Sequence, residues 1–127
     1  MIFIDSSFLL ALLLKSDINH NKALELGDNF HENKMINTTV LTETLNAFNA
    51  VGGKTGFSLY ENLKRMFEID YLTINDYDES INIYLNYDSS INYSDCTILR
   101  SMQKNNIFKI ATFDSHFKKV NGIEVIC

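Results

Sequence analysis

The chain opens with a short apolar run, residues 2–4 (Ile-Phe-Ile), that ends in Asp5 and is followed by two serines. Three consecutive apolar residues without alternation are typical of a strand buried on both faces, as in a parallel sheet. The next segment, residues 8–14, is strongly apolar and has the composition of a helix. The sequence therefore places Asp5 where a central strand ends and a helix begins. In open α/β sheets, ligands bind at that edge.

Short apolar runs and helical segments continue to alternate along the chain, which predicts a parallel sheet covered on both faces, with right-handed crossovers. Further strands are predicted at Met35–Thr38, Ile69–Ile74, Phe108–Thr112 and Ile123–Ile126. Helices are predicted from Ser6 or Ser7 to Lys15, over His20–His31, from Thr38 or Thr39 to the Gly52-Gly53 pair, over Lys54–Phe67, from Asn75 or Asp76 to Asp88, and over Asp95–Asn105. We expect Asp76 and Glu79 to form a capping box, Ser94 to cap the last helix, and residues 114–120 to be irregular.

The bulk composition indicates one globular domain over residues 1–127. The chain is 46% hydrophobic, which excludes a disordered protein, and its longest apolar run is too short to cross a bilayer. No signal peptide is evident, so we expect a cytoplasmic protein whose two cysteines, Cys96 and Cys127, are reduced. The net charge of -5 disfavours broad electrostatic binding of nucleic acid. A nuclease stays open, because acids that bind divalent cations are neutralised locally.

Four acidic residues share one kind of position, directly after a predicted strand or in the first turn of the helix that follows. They are Asp5, Glu43, Asp95 and Asp114. In a parallel sheet these places meet at the carboxyl edge, where four negative charges repel one another unless a cation offsets them. Mg²⁺ or Mn²⁺, which prefer oxygen ligands, would do so. Taken singly, each acid is explained equally well as a helix cap or a solvated charge.

The segments IFIDSSF, TTVLTETLN, YSDCTIL and TFDSHF resemble, in order and spacing, the acidic motifs of PIN-domain ribonucleases. The resemblance runs nearly end to end and extends to toxins of the VapC type from type II toxin–antitoxin pairs. It implies a three-layer α/β/α fold with a five-stranded parallel sheet in the order 3-2-1-4-5. It also implies Mg²⁺-dependent endoribonuclease activity that leaves 5′-phosphate and 3′-hydroxyl ends. The implied partners are an RNA substrate, a VapB-type antitoxin and a second copy of the chain, with no role for a membrane.

By that resemblance, Asp5, Asp95 and Asp114 are metal ligands, and Glu43 either ligates the ion or positions the attacking water. All four are candidate catalytic residues.

Four further residues are candidates for orienting these acids or the substrate. Ser6 occupies a hydroxyl position next to the first acid, and Thr112 occupies one before the last acid. Asn46 lies three residues after Glu43, where an ordinary polar helix position explains it equally well. His116 stands where many relatives carry a further Asp, which leaves a second metal position open.

Basic residues near the motifs, Arg100, Lys104, Lys118 and Lys119, are candidates for contact with the RNA backbone, although such residues are usually solvated. Three rival functions stay open. A phosphoacceptor receiver domain shares the length and layout, but it carries two adjacent acids after its first strand. A haloacid-dehalogenase-type phosphatase requires an Asp where Ser7 stands. A PIN-like domain that binds RNA or protein without cleaving it retains the fold.

Overall fold

The computed structural model describes residues 1–127 and contains one sheet of five short parallel strands. The strands are β1 (Ile2–Ile4), β2 (Lys34–Asn37), β3 (Glu68–Asp70), β4 (Lys109–Ala111) and β5 (Glu124–Ile126). Their order across the sheet is β3-β2-β1-β4-β5, and every neighbouring pair is parallel. The predicted fold class and strand order are therefore confirmed.

Six α-helices connect the strands: α1 (Ser6–Leu13), α2 (His20–Gly27), α3 (Thr38–Asn46), α4 (Gly53–Met66), α5 (Ile74–Asn86) and α6 (Tyr93–Lys104). Helices α1 to α4 lie on the connections that carry the chain outward from β1 to β2 and β3. Helices α5 and α6 lie on the connection that returns the chain from β3 to β4. Since crossovers between parallel strands are right-handed, the two sets cover opposite faces of the sheet.

The first strand is the centre of the molecule. Ile2, Phe3 and Ile4 are fully or almost fully buried, because β2 and β4 flank the strand and helices cover both faces. These residues belong to a core of 23 buried hydrophobic residues. None of the helices combines the length and the hydropathy needed to cross a bilayer. Both cysteines are free thiols, as predicted.

Helices α1 and α3 begin at Ser6 and Thr38, within the predicted bounds, but the residue before each start is the cap. Asp5, not Ser6 or Ser7, is the N-cap of α1, and its carboxylate accepts a hydrogen bond from the Ser6 N–H. Asn37 caps α3 by accepting from the Val40 N–H. The residue that caps a helix is the one whose backbone is still extended when the helix begins.

The largest difference between the predicted and the observed elements lies directly after β3. The strand ends at Asp70, so that residues 71–73 form a link and Ile74 already belongs to α5. Thr73 is the N-cap and forms a capping box with Asp76, in place of the predicted pair of Asp76 and Glu79.

Three other boundaries also moved. Asn92 precedes α6 in place of Ser94. Helix α3 stops at Asn46, and a separate 3₁₀ turn over Asn49–Val51 follows it. Helix α2 stops at Gly27, short of His31. Residues 115–119 form a 3₁₀ turn, in agreement with the predicted irregular segment.

Candidate metal site at the carboxyl edge of the sheet

Asp5 is held rigidly at the end of β1. Its N–H donates to the Ala111 carbonyl at 3.0 Å, which continues the ladder between β1 and β4. Its carboxylate accepts from the Ser6 N–H (2.8 Å), the Ser7 Oγ (2.8 Å) and the Thr112 Oγ1 (2.7 Å). Burial raises the pKa of Asp5 and these donors lower it, and the net direction is upward. The carboxylate is therefore fixed in place without a basic partner.

Thr112 joins the first and last acids of the set. Its hydroxyl donates to Asp5 and accepts from the Asp114 N–H at 2.9 Å. The sequence predicted a contact with Asp114, and the structure adds the bond to Asp5. Ser7 has a similar bridging role that the sequence did not reveal, since its Oγ also accepts from the Phe113 N–H at 3.0 Å. Asp114 caps the 3₁₀ turn by accepting from the His116 N–H at 2.9 Å.

Asp95 lies in the first turn of α6 and is only 6% exposed. Its Oδ2 is buried and has no hydrogen-bond partner. Burial, together with the charges of Asp114 and Asp5, raises its pKa to about 7, and His116 opposes the shift only partly. Asp114 also raises the pKa of Asp5. The three carboxylates that the sequence predicted to converge are therefore close enough to repel one another.

His116 points into the same group. Its Nδ1 lies 3.3 Å from the Asp114 Oδ1 and 3.6 Å from the Asp95 Oδ2. The potential ligand atoms of Asp95, Asp114 and His116 all lie within 4.8 Å of one another, which is a spacing that one metal ion can bridge.

Glu43 stands at the exposed side of this group, on α3. The Ser6 Oγ donates to its Oε1 at 3.4 Å, and burial together with the charge of Asp5 raises its pKa. Asn46 is exposed, and its side chain makes no hydrogen bond to any of the acids. Of the eight predicted site residues, Asn46 is thus the one with no contact in the group.

Asp5, Asp95 and Asp114, here called the acidic cluster, have the donors that a hard divalent cation requires. Carboxylate oxygens are the preferred ligands of Mg²⁺ and Mn²⁺. His116 is the one basic side chain beside the cluster, with its Nδ1 3.3 Å from the Asp114 Oδ1 and 3.6 Å from the Asp95 Oδ2 but hydrogen-bonded to neither. The orphaned Asp95 Oδ2 is a buried acceptor that no group of the protein satisfies, so the residues fit a bound cation.

Two of the basic residues suggested by the sequence serve a different purpose. The Arg100 Nε and the Lys104 Nζ pair with Asp76, and Lys104 also pairs with Asp70, so both side chains neutralise buried or partly buried acids. Lys118 is exposed and lines a hollow of about 180 Å³ beside Asp114, with Lys22 as a second basic residue.

The largest cavity, about 490 Å³, lies elsewhere. It opens where β4 and β5 begin and is lined by Leu99, Ile107, Phe108 and Ile123, among others. No acidic residue lines it, and none of the predicted site residues contributes to it.

Comparison with known proteins decides the family. The sequence profile described as PIN domain matches residues 2–123. The chain belongs to the PIN-domain family. No protein with a curated description matches the sequence.

Solved structures resemble this PIN domain over its whole length. VapC20 from Mycobacterium tuberculosis, a sarcin-ricin loop cleaving toxin, superposes with a TM-score of 0.86 at 23% identity and covers 100% of both chains. A toxin–antitoxin complex from Klebsiella pneumoniae has a TM-score of 0.78 at 15% identity, with 100% of this chain and 97% of that chain covered. VapBC2 from Rickettsia felis, bound to a promoter DNA fragment, has a TM-score of 0.70 at 16% identity, with 99% and 98% covered.

At these identities the resemblance establishes the fold. The strand order 3-2-1-4-5 also excludes the receiver-domain alternative, because receiver domains follow the order 2-1-3-4-5.

Proposed function

We propose that this PIN domain is a metal-dependent endoribonuclease, with Mg²⁺ as its cofactor and Mn²⁺ as a substitute. The observation that carries the proposal is the buried Asp95 Oδ2, which has no partner in the protein and lies among Asp114, Asp5 and His116. An uncompensated buried carboxylate is costly, and a bound cation removes that cost.

Asp5, Asp95 and Asp114 would hold the ion. When bound, a divalent cation polarises a phosphate oxygen and lowers the pKa of a bound water. Ser7 and Thr112 keep the Asp5 carboxylate in place through hydrogen bonds of 2.8 and 2.7 Å. Glu43 is the exposed member of the set, and its raised pKa suits it to orient the attacking water and accept its proton. Hydrolysis in this arrangement leaves a 5′-phosphate and a 3′-hydroxyl.

The substrate backbone needs positive charge near the acids. Lys22 and Lys118 lie around the hollow beside Asp114, and both are exposed. We assign them to phosphates that flank the cleaved bond, because phosphate contacts position a nucleic acid without selecting its sequence.

The test is cleavage of RNA by the purified protein with Mg²⁺ and with EDTA. Asp5→Asn and Asp95→Asn keep side-chain size, and Asn still caps helix α1, so both variants should fold but lose at least about 100-fold in rate. Asp28→Asn alters an exposed acid outside the site and is the matched control. Ligation of the products by an enzyme that requires a 5′-phosphate identifies their ends.

Equal cleavage by all variants, or cleavage in EDTA, would contradict the proposal. Metal binding without cleavage would favour a non-catalytic PIN-like domain.

We further propose that the chain is a VapC-type toxin with a small antitoxin as its partner and a homodimeric state. Support comes from the fold that it shares with VapC20 and with the toxin–antitoxin complexes. Apolar residues available for such contacts are exposed on α4 and α5, namely Phe57, Met66, Ile74, Tyr77, Ile81 and Leu85.

Induced expression in bacteria should arrest growth, and Asp5→Asn should abolish the arrest. Co-expression of a small protein encoded beside the gene should restore growth and co-purify with the chain. Sedimentation equilibrium reports the oligomeric state, and a monomer at high concentration would contradict the homodimer.

A further inference from the structure

We propose that His116 supplies a nitrogen ligand to a divalent-ion position formed with Asp95 and Asp114, and that this position prefers a first-row transition-metal ion to Mg²⁺. The inference rests on the proposed metal-dependent function and specifies which ion part of that site selects.

The His116 ring presents Nδ1 to two carboxylates without bonding to either. The nitrogen lies 3.3 Å from Asp114 Oδ1 and 3.6 Å from Asp95 Oδ2, yet it is buried and has no hydrogen-bond partner. The Asp95 Oδ2 opposite it is also buried and unpartnered. The His116 nitrogen and the Asp95 oxygen are both buried without a hydrogen-bond partner, and a ligand atom of Asp114 lies within 4.8 Å of them. Three such atoms match the ligand set of a cation better than a hydrogen bond.

The local fold holds the ring in this position. The Asp114 carboxylate accepts from the backbone N–H of His116 at 2.9 Å, which ties the histidine to the residue that caps the turn. The next residue, Phe117, is fully buried in the core and anchors the turn from the other side. His116 itself is 39% exposed, while its Nδ1 is buried, which shows that the nitrogen faces inward.

Nitrogen changes which ion the position prefers. Mg²⁺ takes oxygen ligands in a strict octahedron and gives up its water reluctantly. Imidazole nitrogen binds divalent transition metals, with affinities that rise from Mn²⁺ along the first row. An aspartate in place of His116 would make an all-oxygen set, in which that preference is lost. The chain therefore combines an oxygen-rich side at Asp5 with a mixed side at His116.

The test uses Mn²⁺ as the probe, because its unpaired electrons report nitrogen ligands in pulsed electron paramagnetic resonance. The metal-free full chain is titrated with Mn²⁺ and competed with Mg²⁺, and His116→Asp is compared with His31→Asp. His31 is exposed and lies outside the site, so it is a matched control. We expect ¹⁴N coupling in the wild type and in His31→Asp, and none in His116→Asp. The preference for Mn²⁺ over Mg²⁺ should fall at least about tenfold in His116→Asp, the lower end of what loss of a ligand-orienting residue costs.

Other outcomes overturn the inference in recognisable ways. Mn²⁺ binding that lacks ¹⁴N coupling and is equal in His116→Asp would refute it but leave the proposed function intact, provided that Asp95→Asn abolishes binding. Tighter binding of both ions to His116→Asp with an unchanged preference for Mn²⁺ over Mg²⁺ would refute the nitrogen ligand, because an added carboxylate alone explains that result. Absence of Mn²⁺ binding to the wild type would refute the inference together with the proposed metal dependence.

Discussion

Two buried aspartates each occupy the first turn of a helix, but their pKa values shift in opposite directions. Asp76 lies in the first turn of α5 and Asp95 in the first turn of α6, with exposures of 1% and 6%. Burial would raise the pKa of Asp76, but hydrogen bonds from Lys104, Thr73 and Arg100 outweigh it and hold that pKa well below its usual range. The pKa of Asp95 rises to about 7.

The difference lies in the partners that the fold brings to each carboxylate. The Arg100 Nε and the Lys104 Nζ reach Asp76 at 3.1 and 2.8 Å, and the Thr73 N–H completes the capping box. Around Asp95 the neighbours are Asp5, Asp114 and a single histidine. Helix α6 carries Arg100 and Lys104, which neutralise Asp76, and it also carries Asp95, which Asp5 and Asp114 repel. A structural acid is paired within the protein, whereas a candidate site acid is left for a partner from outside.

The largest expected effect is at the neutralised acid. Asp76→Asn should lower the free energy of unfolding by about 3 kcal/mol, because it leaves Arg100 and part of the Lys104 charge unpaired beside the core. Urea denaturation in EDTA measures this value. Asp78→Asn, an exposed acid on the same helix, should change it by less than about 0.5 kcal/mol. Equal losses in the two variants would show that the network at Asp76 contributes nothing special.

The pH dependence should have the opposite sign at Asp95. Its folded pKa of about 7 is above the ordinary value of 3.8, so between these values the folded state binds more protons than the unfolded state. Stability in EDTA should therefore fall as pH rises, with a Tm about 3–6 °C lower at pH 8 than at pH 5.5. Excess Mg²⁺ or Mn²⁺ at pH 8 should reverse the loss. Thermal unfolding monitored by circular dichroism tests this, and an Asp95→Asn profile as steep as the wild type would argue against Asp95 as the source.

The smallest expected effect is an increase in stability. Asp95→Asn should raise the free energy of unfolding in EDTA at pH 8 by about 1 kcal/mol, because it removes repulsion from Asp114 and Asp5. Loss of a favourable charge at the start of α6 offsets this by about 0.5 kcal/mol. The same variant should lose the stabilisation that Mg²⁺ gives the wild type. A metal-free variant that is less stable than the wild type would mean that Asp95 is already compensated.

Sequence reasoning located the acids but mistook several of their neighbours. Asp5 directly follows the apolar strand Ile2–Ile4, and Asp114 comes shortly after β4, whose Ile110 and Ala111 are buried, and short apolar runs of this kind predict a buried strand. The caps were missed at Thr73 and Asn92, because capping depends on the one residue where extended backbone turns helical. The sequence offers Arg100 and Lys104 for contact with RNA, whereas the packing of α5 against α6 places Asp76 beside them.

What the sequence determined by itself was the alternation of buried strands and helices, and with it the edge at which Asp5, Glu43, Asp95 and Asp114 meet. Those features follow from local composition and from the rule that parallel strands end at a common edge. Tertiary structure alone decided that Ser7 and Thr112 clamp Asp5, that Asp95 keeps an unsatisfied oxygen, and that His116 faces it. Those outcomes depend on distances between residues far apart in the chain, which no local pattern encodes.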